Sequence, residues 1–188
     1  MIEKLKYNSG IIIIAVLCVI PVVFWVFLIP MNLRLNSLFT FLTSIGQIAG
    51  LVGTVLFAIN IMLASRLKIL EKYFYGLNKV YIDHHLIGGI ALILLLIHPL
   101  ILAIKFIPIS LYYAALFLLP TLDDLPKFYG IMALLLMIIL LVLTLYYRPR
   151  YDIWKLTHKF LGLAFFIAAL HVYFIPSDVS RSASLRFY

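Results

Sequence analysis

Apolar residues fall in five long charge-free runs, 7–33, 35–65, 86–104, 128–147 and 160–177, with the charged residues gathered between them. A helix that crosses a bilayer needs about 20 consecutive apolar residues, and each run reaches or nearly reaches that length. The pattern therefore predicts five membrane-spanning helices. A further apolar stretch, FIPISLYYAALFLLP at 106–120, is interrupted by Pro108 and closed by Pro120. Proline removes a helix hydrogen bond and clashes with the preceding turn, so this stretch is expected to be a re-entrant or interfacial segment too short to cross. The fold class expected is an all-α integral membrane bundle in which 1–188 form one helical domain, with short loops and no low-complexity linker.

Composition agrees with that class. Apolar residues make up 65% of the chain and charged ones 12%, more apolar surface than a soluble domain of this length buries. The formal net charge of +8 suggests nucleic acid until the positions are considered, because lysine and arginine accumulate on the cytoplasmic side of membrane proteins. An N-terminus inside places Lys4, Lys6, Arg66, Lys68, Lys72, Lys79, Arg148, Arg150, Lys155 and Lys159 in the cytoplasm. Arg34, Lys105, Lys127, Arg181 and Arg186 are then outside, ten cations against five. The first run is too long for a signal-peptide core and ends without a small-residue cleavage site, so it is expected to stay in the membrane. The one cysteine, Cys18, lies within it, which leaves neither a disulfide framework nor a thiolate metal site.

All five histidines lie in two stretches, HHLIGGIALILLLIH at 84–98 and HKFLGLAFFIAALH at 158–171. Imidazole in a hydrocarbon layer is costly and marks a proton path, a metal or a cofactor. A spacing of 13 or 14 residues separates the two histidines of each helix by about 20 Å. That gives two layers, with His84 or His85 opposite His158 near the inner face and His98 opposite His171 near the outer. Two opposed imidazoles suit the axial positions of a haem iron, whereas zinc ordinarily takes three or four ligands that include thiolates or carboxylates. Helical phase favours His84 over His85 as the partner of His98, since 14 residues return within about 40° of the starting direction and 13 miss by about 140°. The same arithmetic counts against His158 with His171 unless that helix carries a bulge or the haems approach it from different sides. Gly46, Gly50 and Gly53 lie on closely related faces of the second helix and admit either a neighbouring helix or a flat ligand. Gly88, Gly89 and Gly162, each near a histidine, leave room for a bulky group.

From about Ile45 to the C-terminus the sequence resembles the ferric reductase-like transmembrane domain shared by NADPH oxidases, metalloreductases and bacterial flavocytochromes. The motifs are GQIAGLVG and LASR in the second helix, YIDHHLIGG leading to HPL, and WKLTHKFLG leading to LHVY. The resemblance implies His84 and His158 as inner haem ligands, each with a glycine four residues on, Gly88 and Gly162, and His98 and His171 as outer ligands. It places His85 beside the inner haem. Where superoxide-forming oxidases often carry a further histidine this chain has Leu102, a departure that puts an oxygen-reducing site in doubt.

The function implied is transmembrane electron transfer through two b-type haems, from a cytoplasmic flavin to an external acceptor such as O2 or ferric iron, in a membrane protein of bacterial style. Haem propionates need cationic or hydrogen-bonding partners; Arg66, Lys155, Lys159 and His85 are the inner candidates, and Lys105, Lys127 and Arg181 the outer ones. FAD and NAD(P)H are expected on a missing domain or a partner subunit, because no Gly-rich strand-to-helix turn is present and the chain stops where relatives continue into a sixth helix. A separate reductase would dock on Lys68, Lys72, Lys79, Arg148 and Arg150. The alternatives are a stand-alone membrane cytochrome fed by a separate reductase or quinone, and a haem-free transporter or assembly subunit whose histidines carry protons or ions.

Overall fold

The computed structural model describes residues 2–74, 76–147, 150–177 and 182–186, and of 2–8, 184 and 186 the backbone alone. Arg148 and Arg181 lie outside the described residues, as do the side chains of Lys4, Lys6 and Arg186. Every described element is helical, and five segments are long and apolar enough to cross a membrane: Ser9–Leu28, Leu38–Ala64, Leu77–Ile104, Leu125–Leu145 and Tyr151–Phe174. Large apolar side chains such as Phe27, Leu38, Leu86, Ile93 and Phe166 are exposed, as on helices that face lipid. The protein is an all-α integral membrane protein, and its contacts gather into two units, 1–105 and 106–188.

In the first unit, α1 (Ile2–Leu28) stops before Pro30, and one further turn, α2 (Met31–Arg34), leads to α3 (Leu38–Ala64). Ser37 caps α3 reciprocally: its hydroxyl accepts from the Thr40 N–H at 3.2 Å, and its own N–H donates to the Thr40 hydroxyl at 3.0 Å, satisfying two orphan donors. After α3 the backbone turns through Arg66, whose φ of 55° is the one positive value among the described non-glycine residues. A short α4 (Lys68–Phe74) then sets the Phe74 ring against Gly10 of α1.

Helix α5 (Leu77–Ile104) begins nine residues before the charge-free run at 86. It can do so because Asp83, only 5% exposed, is neutralised by Lys79 one turn earlier at 3.2 Å. Helices α3 and α5 run antiparallel with Gly46 against Leu102, Gly50 against His98, and Gly53 against Leu94 and Leu95. All three glycines serve close helix packing. Arg34, expected on an outer flank, is instead buried with Trp25 of α1. Its Nη2 donates to the Trp25 carbonyl at 2.8 Å, its guanidinium lies 3.5 Å over the indole, and the Gln47 Oε1 accepts from the Trp25 Nε1 at 3.1 Å.

The second unit opens with the segment around 106–120, where α6 (Leu111–Phe117) spans seven residues, about 10 Å of rise. It is too short to cross. Helix α7 (Leu125–Leu145) starts at an Asp124 cap whose Oδ1 accepts from the Lys127 N–H at 3.1 Å, with Pro126 in the first turn, where its missing N–H costs nothing. The fifth span consists of α8 (Tyr151–Lys159) and α9 (Leu161–Phe174), divided at Phe160. The Phe160 N–H donates back to the Thr157 carbonyl at 3.1 Å, an i→i−3 turn. Both pieces pack on α7.

Candidate functional site

Three histidines share one geometry. His84 Nδ1–H donates to the Asn60 carbonyl at 3.0 Å, His98 Nδ1–H to the Gly46 carbonyl at 2.6 Å, and His171 Nδ1–H to the Pro126 carbonyl at 2.7 Å. A carbonyl oxygen can only accept, so the proton is assigned to Nδ1 in each ring. That tautomer makes Nε2 the lone-pair nitrogen. Metal-ligating histidines are held in this way, the second nitrogen donating to a backbone carbonyl so that ring orientation and tautomer are fixed together.

Register explains why both histidines of α5 find such a partner. His84 and His98 are 14 residues apart, and so are their acceptors Asn60 and Gly46 on the antiparallel α3. At about 1.5 Å per residue both intervals measure about 21 Å, and both return to nearly the same face.

Two of the rings also rest on glycines. A Cβ on Gly50 would stand 2.8 Å from His98 Nδ1, and a Cβ on Gly130 would stand 2.8 Å from His171 Nδ1. In each unit the acceptor carbonyl and the glycine are four residues apart on one helix, Gly46 with Gly50 and Pro126 with Gly130. Those two residues form a single docking place for an imidazole from the antiparallel neighbour. Gly50 was visible in the sequence as a packing residue. Gly130 was missed, and its only signal is the four-residue interval after Pro126.

His158 is held differently. Its ring stacks on Trp154 with centroids 5.3 Å apart and planes 11° apart. The carbonyl 14 residues after Pro126 is that of Leu140, and it accepts from the Thr144 hydroxyl at 2.7 Å. The break at Phe160 lies between His158 and His171. A 3₁₀ step advances about 120° per residue against about 100° in an α-helix, so one such step removes about 20° of a phase mismatch of about 140°.

His85 is exposed and meets His84 edge-on at 5.6 Å, whereas His84 is half-buried on Asn60. Gly88 does not open a space, because a Cβ there would stand 2.7 Å from the Asn60 Nδ2. Gly89 and Gly162 do: no atom lies within 4 Å of where their Cβ would be. Arg66 reaches over the Tyr81 ring at 5.8 Å, one turn before His84 and His85, and Lys155 and Lys159 are exposed on α8. Lys105 Nζ donates to the Thr43 hydroxyl at 3.3 Å and lies 4.6 Å from the Phe39 ring, and burial lowers its ammonium below the usual lysine range. Leu102 packs on Gly46, beside the carbonyl that holds His98.

Among the described residues no three His, Cys, Asp or Glu side chains gather where they could hold a metal ion, so a zinc centre built from protein ligands alone has no candidate there. The histidines suit a cofactor that supplies most of its own metal ligands. No curated protein sequence matches the chain. The family profile described as ferric reductase like transmembrane component matches residues 49–169. That is well over half of the chain, and it takes in Gly50, Asn60, His84, His85, His98, Pro126, Gly130, Trp154 and His158, with His171 two residues beyond. The chain belongs to the ferric reductase like transmembrane component family.

Proposed function

We propose that this chain is the haem-bearing membrane component of an oxidoreductase, passing electrons singly across the bilayer through two bis-histidine b-type haems. His84, His98, His158 and His171 are the ligands, paired by layer as the sequence spacing suggests. The observation that carries this reading is the shared Nδ1–H to carbonyl bond of His84, His98 and His171, which presents Nε2 as the ligating atom. A bound haem iron supplies a one-electron couple inside the hydrocarbon layer. The chain's own residues hold and orient the imidazoles, and Gly89 and Gly162 leave room beside them. No proton has to cross with the electron.

Orientation follows the lysine and arginine distribution, with the N-terminus cytoplasmic and His84 and His158 at the inner level. Arg66, His85, Lys155 and Lys159 are then the inner propionate partners, and Lys105 and Lys127 the outer ones. Electrons come from a flavin reduced by NAD(P)H, on another domain or subunit that docks on Lys68, Lys72, Lys79 and Arg150. They leave to an external acceptor such as O2 or ferric iron, in a bacterial plasma membrane.

A pyridine haemochrome assay on the purified chain tests the reading, and two b-type haems per chain with a low-spin visible spectrum is the expected result. One haem or fewer in well-folded protein overturns it. Colourless, folded protein favours a haem-free transporter or assembly subunit.

A further inference from the structure

The face of α8 that leads to His158 is a ladder of aromatic rings. Tyr151 stacks on Trp154 with centroids 5.9 Å apart and planes 23° apart, and Trp154 stacks on His158 at 5.3 Å and 11°. The positions i, i+3 and i+7 put the three rings on one side of the helix. Tyr151 at the far end is 63% exposed, and Trp154 and His158 are half-buried. Arg150, Lys155 and Lys159 are exposed around the ladder. The other three histidines each donate to a backbone carbonyl, and two of them rest on glycines; His158 stacks on a ring.

We propose that Tyr151 and Trp154 form the route by which electrons reach the inner haem, which rests on the ligand assignment above. Electron tunnelling decays steeply with distance and less steeply through conjugated rings than through saturated side chains. Seven residues of helix, about 10 Å, separate Tyr151 from His158, and delocalised rings occupy most of that interval. The electron count is simple. A reduced flavin would give up one electron and release its proton to solvent, and a haem held by His158 would supply the one-electron acceptor. Tyr151 and Trp154 lend electronic coupling and are themselves neither oxidised nor reduced. Arg150, exposed next to Tyr151, attracts a donor whose flavin carries phosphate, raising its local concentration by electrostatic steering.

The test is anaerobic stopped-flow mixing of the full, haem-loaded chain with photoreduced FMN, comparing Trp154→Leu, Trp154→Phe and Tyr151→Leu with the unmodified protein. Trp154→Leu is expected to slow haem reduction by FMN several-fold more than it slows reduction by dithionite. Trp154→Phe, which keeps a ring, recovers most of the rate. Tyr151→Leu, at an exposed position where folding is not at stake, slows it to a smaller degree. An unchanged FMN rate in Trp154→Leu overturns the proposal. So does an equal slowing of the FMN and dithionite reactions, which would leave Trp154 with no role beyond orienting the His158 ring. An unmodified chain that binds no haem is a different result: it removes the proposed function first, and the ladder then has nothing to feed.

Discussion

The imidazole of His98 lies on Gly50 so closely that a methyl group there would stand 2.8 Å from Nδ1. His171 stands on Gly130 in the same way, and each ring donates to the carbonyl four residues before its glycine. Gly50→Ala and Gly130→Ala are therefore expected to push the ring off its carbonyl. Overpacking costs about 1–3 kcal/mol in stability, and the visible and EPR spectra of the outer haem should change or be lost while the inner haem persists. Gly53→Ala is the control: its Cβ would meet Leu94 and Leu95, not a histidine, so it should cost stability without a spectral change. Intact outer-haem spectra in both glycine variants would refute the docking role.

The proposed ligand set makes a second prediction. His98→Gly or His171→Gly should reduce the haem content from two towards one and leave the inner haem; His84→Gly and His158→Gly should do the converse. Each glycine variant would remove one of the imidazoles proposed to hold a haem. Millimolar imidazole should restore the low-spin spectrum where the cavity survives, and ferrous variant protein should take up CO that the parent does not. If His85→Gly, and not His84→Gly, abolished the inner haem, the assignment would pass to the exposed neighbour.

The five spans and the short 106–120 segment were legible because lipid demands runs of apolar residues whose length is set by the bilayer. The start of α5 was not, since it depends on Asp83 being neutralised by Lys79, and charges read alone look like a boundary. The two-layer spacing of the histidines is in the sequence, but what orients each ring is not. The acceptors for His84, His98 and His171 are backbone carbonyls 24, 52 and 45 residues away, and every residue type has a carbonyl. The break at Phe160 carries no proline or glycine of its own, so no residue at that position marks it. Arg34 was read as a flanking charge because a lone arginine beside an apolar run usually is one, and its burial depends on Trp25 and Gln47 from two other elements.

That cluster gives a third prediction. Arg34 stacks on the Trp25 indole, donates to its carbonyl and shares the Gln47 oxygen. A planar, forked guanidinium makes these contacts together, and an ammonium cannot. Arg34→Lys should therefore destabilise the protein by about 1.5–3 kcal/mol, the range for hydrogen bonds to a charged group. Thermal unfolding of the detergent-solubilised chain measures the loss. Parent-like stability in Arg34→Lys would mean that the stack and the fork contribute little.

Arg66 carries the last prediction. It holds a left-handed backbone conformation that costs a non-glycine residue about 1–2 kcal/mol, and its guanidinium lies over Tyr81, one turn before the His84 level. Glycine would adopt that backbone without strain. A cation near a haem favours the ferrous state, which carries one positive charge fewer, and it also neutralises a propionate. Removing it acts in the same direction on both counts. Arg66→Gln should lower the inner haem's midpoint potential and leave the outer haem, about 20 Å away by the 14-residue spacing, nearly unchanged. Redox titration followed at both haems distinguishes the outcomes, and equal shifts in the two would show that Arg66 acts on the membrane surface as a whole and not on the inner site. Arg66→Gly separates the two roles of the residue: it should repeat the potential shift while raising stability through relief of the backbone strain.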